Sequence, residues 1–351
     1  MKTSTPCTNS KRDGNVSDGN AVSKRGRRLA LLLHTLLGLA SLSVAQAGFD
    51  LGSGGFDLGN STNYQILYSG LGNKLDFQDS RVIGNIGIGG PAGQVNAYVQ
   101  LNPNSYLKNA GNIDFSGKAS VQGGPPVNIG AITGGVSDVQ ADLDYLSKLS
   151  AALGAESGSD IVVKINNGET QTINVSDGKD DGNGNRIFTI QKAGDFVFNN
   201  GSTLQLVGTK PTDKVVFNFV EGGIYQFNGN ILFNKELESD QVLWNFYTDP
   251  SSKKSKDVSI QNSSFTPDRN ENPLEGAQGV FLSPDGVMSM NNSTLCGRFF
   301  GGGGMDGKTF ANMDINKSAI ETCVVAPEPS TYVLLAMGAL VLILVHRRRR
   351  A

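Results

Sequence analysis

Short alternating apolar runs, recurring at near-even intervals and separated by Gly and Asn corners, confine most of this 351-residue chain to β architecture. Residues 113–121 read Ile-Asp-Phe-Ser-Gly-Lys-Ala-Ser-Val and set apolar or small side chains on one face. Val82, Ile86 and Ile88 do the same within 81–90. Further strands are expected at 127–131, 161–165, 171–175, 186–190, 196–198, 204–207, 215–220 and 224–227. The pattern continues at 231–233, 242–246, 258–261, 280–282 and 287–290, with turns such as Asn228-Gly229-Asn230 between runs. Glycine, at 45 residues, is enriched without the three-residue period of collagen, which fits corners.

One stretch departs from this pattern. Val139, Leu143, Leu146, Leu149 and Leu153 recur at helical spacing and predict an amphipathic helix over 138–153. Ser137 with Gln140 forms the pattern of a capping box, and Gly154 stands where a C-terminal cap is expected. The fold class expected is mainly β: a right-handed β-solenoid-like domain with one flanking α-helix. Small inward residues such as Gly117 and Ala119 favour it over the alternative, a β-sandwich with an inserted helix.

The two ends read as addresses. Lys24, Arg25, Arg27 and Arg28 precede an apolar stretch over 29–42, and Ala45-Gln46-Ala47 supplies a small-x-small site with cleavage before Gly48. Residues 1–47 are thus a signal peptide with a long polar start and a signal helix. At the other end Pro327-Glu328-Pro329 precedes an apolar run over 332–345, then Arg347, Arg348, Arg349 and Arg350. Fourteen residues make a short transmembrane helix beside the usual span of about 20, and the arginines hold its end in the cytoplasm. The expected organisation is signal peptide 1–47, Gly-rich lead-in 48–63, β-rich domain 64–322 and tail 323–351.

Removing both ends changes the charge. Of 30 Lys and Arg, seven precede Gly48 and four follow Ala326; of 32 Asp and Glu, two and one are lost. The remaining body carries a net charge near −10 and repels phosphate backbones, so nucleic acid is no expected partner. Both histidines, His34 and His346, lie in the terminal segments, which leaves the body without a Ser-His-Asp triad or a His-ligated metal. No catalytic residue is expected and the domain reads as non-enzymatic. Cys7 leaves with the signal, and Cys296 with Cys323 makes an even pair suited to one disulfide in an exported domain. Closing a loop of 28 residues, that bridge contributes about 3 to 4 kcal/mol by loop entropy.

Pro-Glu-Pro, a short apolar span and a basic end resemble the tripartite tail of bacterial PEP-CTERM proteins. The resemblance implies a sorting signal handled by a membrane-embedded exosortase. The body resembles choice-of-anchor A domains over about residues 64–304: Tyr64-Gln65-Ile66-Leu67-Tyr68-Ser69-Gly70, the Gly-rich turn at 80–90, Lys214-Val-Val-Phe-Asn-Phe219 and Asp240-Gln-Val-Leu-Trp-Asn-Phe246. Phe281-Leu-Ser-Pro-Asp-Gly286 and Leu295-Cys296-Gly297 fall where that family's later motifs fall, with Ser-Pro replacing Ala-Pro. Ice-binding-like solenoids share the late Trp-containing strand. The resemblance implies an extracellular, surface-displayed β module.

Asp177, Asp180 and Asp181, with Asn183 and Asn185, form the densest oxygen cluster and the one candidate Ca2+ loop. Lys179 breaks EF-hand spacing, so the plainer expectation is a hairpin between 171–175 and 186–190. Trp244 fits a core position better than an exposed sugar platform, Gly301 to Gly304 read as a flexible loop, and the Gly-Phe-Asp-Leu-Gly copies at 48–52 and 55–59 read as a lead-in. Three functions follow from these features. The favoured one is an exported, exosortase-sorted structural or adhesive protein, anchored in the membrane by its tail before processing and then held at the cell surface or in an exopolysaccharide matrix with other envelope components as partners. The alternatives are a carbohydrate-active or carbohydrate-binding solenoid and an ice-binding-like protein, the last wanting Thr-x-Thr ladders that this chain lacks.

Overall fold

The computed structural model describes residues 54–321 except 70–73, 91–96, 102–106, 110, 124–129, 235, 248–254, 264–275, 304, 307–308 and 311. All belong to the second of the two units into which the chain divides, residues 49–351. The signal-cleavage residues Ala45, Ala47 and Gly48 lie outside the described residues, as do Cys323, the Pro327-Glu328-Pro329 motif, the 332–345 span and Arg347 to Arg350.

Each coil lays down up to three strands. Asn185–Ile190, Phe196–Phe198 and Thr203–Val207 make one coil; Lys214–Phe219, Gly223–Phe227 and Asn230–Phe233 make the next, paired to it in parallel on all three sides. Stacked coils form a β-solenoid with a 14-stranded sheet, a nine-stranded sheet and a short third side. Parallel pairing along the strand order of all three faces, with Lys179–Asp180 an antiparallel addition off that order, rules out the β-sandwich.

The order of the coils is not the order of the sequence. Tyr64–Tyr68 lies mid-sheet, and coils after it stack in one direction to Asn85–Ile88, Ile113–Phe115 and Ile132–Gly134. The helix Ser137–Ala155 (α1) follows, and Ser159–Asp160 then opens a second stack at the opposite end. That stack returns until its last coil meets the first: Thr294–Gly301 pairs with Tyr64–Tyr68, Met313–Asn316 with Lys74–Gln78, and Ala319–Glu321 with Ser80–Ile83.

Alternation fills the interior. Phe188, Phe217, Trp244, Phe281 and Phe299 follow one another in register, and Ile66, Ile86 and Ile113 continue the buried row across the seam, ending at Ile132, which is exposed. Phe217 stacks on Phe188 at 5.1 Å and on Trp244 at 4.4 Å between ring centroids. Contacts of this type contribute about 0.5 to 1.5 kcal/mol each beyond area burial. Trp244 is fully buried and donates its indole N–H to the Gln278 carbonyl at 2.9 Å, which makes it a core residue.

α1 covers the 14-stranded sheet. Val139, Leu143, Leu146, Leu149 and Leu153 are buried against outward-facing Leu67, Ile187, Val216, Leu243, Val280 and Phe300. Polar pins set its register: Ser150 Oγ donates to Asn245 Oδ1 (2.5 Å), Asn245 Nδ2 to Asn218 Oδ1 (2.8 Å), and Asn218 Nδ2 to the Leu153 carbonyl (2.7 Å). The helix ends differ from expectation. Val136 is the N-cap with no side-chain cap bond, and Gln140 instead accepts from the Gly90 amide and donates to Asp144, so no capping box forms. Gly154 lies inside the helix, where a Cβ would collide with the Tyr247 ring; it permits close packing and does not end the helix.

Strands at 161–291 fall within a few residues of expectation, whereas 113–121 is two strands, Ile113–Phe115 and Val121–Gly123, joined by a corner holding Gly117 and Ala119. Of 127–131, residues 127–129 lie outside the described residues, and the strand that follows starts at Ile132. Gly301 closes the longest described strand, Thr294–Gly301, and Gly302 and Gly303 pack against Tyr68, Met313 and Ser69, so these glycines are no free loop. The second Phe-Asp-Leu copy is also packed: Phe56 and Leu58 are buried with α1, and Tyr145 Oη donates to the Asp57 carbonyl at 2.8 Å. Truncating the buried stripe, as in Leu146→Ala, is expected to lower unfolding free energy by about 2 to 5 kcal/mol. In the same denaturation series Lys148→Ala, on the exposed face of α1, changes it by less than about 0.5 kcal/mol.

Candidate functional site

The nine-stranded sheet is the large face that α1 does not cover. Its order runs Val163–Ile165, Phe196–Phe198, Gly223–Phe227, Lys256–Gln261, Met288–Asn291, Met313–Asn316, Lys74–Gln78, Tyr98–Leu101 and Val121–Gly123. Period-two alternation sends Phe198, Phe227, Ile260, Met290, Ile315 and Phe77 inward. The intervening positions form a row on the outside. From one end it reads Lys164, Val197 and Gln226; the middle is Ser259, Ser289, Asp314 and Asp76; Gln100 and Gln122 finish it. A second row two positions along the strands carries Gln261, Asn291, Asn316 and Gln78. Apart from Ser259, whose hydroxyl sits 3.1 Å from that of Ser289, these residues are exposed or half-exposed.

Charge concentrates where the two stacks meet. Asp314 and Asp76 are register partners, and Lys74 Nζ lies 2.6 Å from Asp76 Oδ2. The Asp314 residue is exposed, yet neighbouring strands strip enough water from its carboxyl to hold it above the ordinary carboxylate range; the Asp76 charge adds to this and Lys74 opposes it. Hydrogen bonding to Asp76 raises Lys74 above the usual ammonium value, with burial acting against it. Exposed Val162, Val197 and Ile224 give one end of the face a small apolar edge.

The other sequence candidates lie elsewhere. Asp177, Asp180 and Asp181 sit at a hairpin closed by antiparallel Lys179–Asp180 and Asn185–Ile190 and not by the expected pairing of 171–175 with 186–190, because Thr170–Asn174 pairs in parallel with Thr203–Val207 on another side of the solenoid. Asp181 accepts from the Asn183 and Asn185 amides and from Asn185 Nδ2, Asp180 accepts from the Gly182 amide and pairs with Arg186, and Asn174 donates to Asp177. These carboxylates are turned to the loop's own donors, and among the described residues no group of three or more His, Cys, Asp or Glu is placed to hold a metal. Cys296 is buried and disulfide-bonded. Among the described residues no helix is long and apolar enough to cross a membrane. The outward rows themselves were not singled out from sequence, although Lys-Leu-Asp-Phe-Gln at 74–78 and Met-Asp-Ile-Asn at 313–316 both alternate.

Residues 43–266 match the family model described as "Putative Ice-binding-like adhesive domain". The chain belongs to that family. The solenoid of this ice-binding-like adhesive domain runs past the matched residues to Glu321, through the coil that closes on Tyr64–Tyr68. Solved structures similar to it include an ice-binding protein domain of Shewanella frigidimarina (14% identity, 77% of this chain and 98% of that one, TM-score 0.41). A glycosylated ice-binding protein from an Arctic yeast (11%, 80% and 98%, TM-score 0.40) and one from the Antarctic ascomycete Antarctomyces psychrotrophicus (9%, 76% and 98%, TM-score 0.38) are also similar. No curated protein sequence matches the chain.

The adhesive domain's other polar cluster lies under α1. Asp142 is 7% exposed, its Oδ2 has no hydrogen-bond partner, and burial followed by the Asp138 charge holds its carboxyl above the ordinary range. Nearby Tyr64 Oη donates to Asp114 Oδ2 at 3.4 Å; burial raises Asp114 while that bond opposes the shift, and burial, Asp114 and Asp142 push the Tyr64 phenol upward. A carboxyl with a raised folded-state pKa binds its proton more tightly in the folded protein than in the unfolded chain. Stability therefore falls as pH rises from the ordinary carboxylate value through the raised one. Asp142→Asn is expected to make that fall shallower and to raise the melting temperature at pH 7 but not at pH 3. Thermal denaturation across pH checks this, and an equal shift at both pH values would remove the buried charge as its cause.

Proposed function

We propose that this chain is an exported, non-enzymatic adhesive protein whose open nine-stranded face makes the contact. The observation that carries the reading is the contrast between the two large faces: one is sealed by α1, the other turns a largely polar row to solvent, interrupted by apolar Val197 and buried Ser259. The family's adhesive description supports it. Ice contact is the second reading, from the same description, and the composition of the row weighs against it. Lys164, Asp314, Asp76 and Lys74 hold water tightly, and a rigid lattice whose waters cannot reorient around a charge returns only part of the solvation lost on contact. A hydrated polymer or cell envelope can match such groups with its own donors and acceptors.

In this reading the protein passes the cytoplasmic membrane on its signal peptide and is held by residues 332–345. Exosortase acts at Pro327-Glu328-Pro329, as the PEP-CTERM resemblance implies, and the choice-of-anchor A-like body is displayed at the surface or in exopolysaccharide. Cells displaying the full chain test both parts. Ser289→Arg together with Gln100→Arg is expected to cut retention on matrix-coated surfaces about tenfold, the effect of about 1.4 kcal/mol, while Lys148→Ala leaves it unchanged. Alanine at Pro327, Glu328 and Pro329 is expected to block processing and mislocate the protein. Retention indifferent to the row variants overturns the face assignment; unchanged processing and location overturn the sorting assignment.

A further inference from the structure

We infer that the open face binds an extended, neutral β-1,4-linked hexose polymer laid along the solenoid axis, one sugar per rung. This rests on the reading that the face is the adhesive surface and adds the chemistry of what it holds.

Four observations carry the inference. The first is spacing. Parallel strands place register partners about 4.8 Å apart, so each outward row is a ruler with that step. An extended β-1,4-linked chain advances by nearly the same step per sugar, whereas α-1,4-linked chains coil and lose the register after a few units. The second is functional groups. Carboxamides offer two donors and an acceptor, carboxylates accept twice, and serine does either; adjacent sugar hydroxyls likewise donate and accept, so a row of Gln, Ser and Asp suits them without requiring any ion. The second row, with Gln261, Asn291, Asn316 and Gln78, lies beside the first and can take hydroxyls on the other edge of the same sugar.

The third observation is pairing within the row. Asp314 with Asp76 and Gln100 with Gln122 make two two-rung blocks, while Ser289 stands alone because Ser259 is buried and accepts from Ser289 and Gln261. Successive sugars in a β-1,4-linked chain are turned over, so the polymer repeats every second sugar and each block meets one disaccharide. The fourth is charge. Asp314 and Asp76 at the centre repel polyuronates and sulfated glycans, and Lys74 is already occupied by Asp76, which selects a neutral chain. The two polar rows themselves contain no aromatic ring, although Tyr98, the register partner of Lys74, stands beside Gln100 on the same face; most sugars therefore contribute little alone and binding must grow with the number of rungs engaged.

The test uses the full chain after signal removal, titrated calorimetrically with cellobiose, cellotetraose and cellohexaose and sedimented with insoluble cellulose, starch granules and a polyuronate gel. The expected result is no measurable cellobiose binding, a gain of about tenfold or more between tetraose and hexaose, retention on cellulose alone, and loss of that retention in Ser289→Arg with Gln100→Arg and in the milder Gln100→Ala. Circular dichroism confirms that the variants are folded. Equal retention on starch and cellulose, length-independent binding, or cellulose binding untouched by the row variants overturns the inference. If the row variants abolish adhesion to the native matrix while no cello-oligosaccharide or cellulose binds, the polymer assignment fails and the adhesive face stands; if adhesion ignores the row variants, both fail.

Discussion

Everything in this solenoid depends on one non-local contact, the docking of its last coil onto its first. Tyr64–Tyr68 has a sequence neighbour on one side only, and its other edge stays unpaired until Thr294–Gly301 arrives. Arg298 fastens that joint. Its guanidinium is buried, takes both oxygens of Asp240 at 2.8 and 2.9 Å, and donates to the Thr62 and Tyr64 carbonyls at 2.7 and 2.5 Å, so one side chain ties together the first coil, the last coil and a coil between. Arg298 is buried while the Asp240 side chain is 37% exposed, so losing the pair costs less than the ~3 to 5 kcal/mol of a fully buried one. Loops must close over most of the chain before these contacts form, so the pairing is slow to find. α1 bridges the same gap from outside, since its stripe packs on Leu67 from the first stack and on Val216, Leu243 and Phe300 from the second.

The joint also shapes the surface. On the sealed side it is apolar, with Leu67 beside Phe300 beneath the helix. On the open side it places Asp76 beside Asp314, a like-charge pair that local alternation tolerates because water and Lys74 reach it. Alternation thus assigns the two faces different work: one outward row is buried by a helix, and the other is left polar and periodic. Their difference is what the proposed adhesive role of the open face rests on.

Strands of the nine-stranded face between 161 and 291 were legible because inward apolar residues alternate with outward ones, and those under α1, such as 215–220 and 242–246, because they are short β-branched and aromatic runs bounded by turn residues. Thr294–Gly301 was hidden because it too is buried on both sides but carries Cys296, Gly297 and Arg298 within it, and the adjoining glycines read as a loop. The stripe of α1 was legible to its individual leucines, but its ends were not, because Gln140 and Gly154 serve tertiary contacts with Gly90 and Tyr247. Asp177, Asp180 and Asp181 form a compositional cluster whose oxygens are consumed by the hairpin they build. The polar rows could not be assembled from sequence at all. Asp76 and Asp314 become neighbours only when the second stack closes on the first, and no local signal specifies that order of coils.

That closure is measured most directly by cross-linking the joint. With Asp76→Cys and Asp314→Cys in one chain, a short bis-methanethiosulfonate, which joins two thiols and releases sulfinate at each, is expected to link the two positions within a single molecule, read as a 76–314 cross-linked peptide by mass spectrometry, while Gln122→Cys with Lys164→Cys at opposite ends of the face gives none. An intramolecular link at 76–314 is the result this account predicts. Its absence in folded protein, or links formed only between molecules, would contradict the closed solenoid and the continuous face that depends on it.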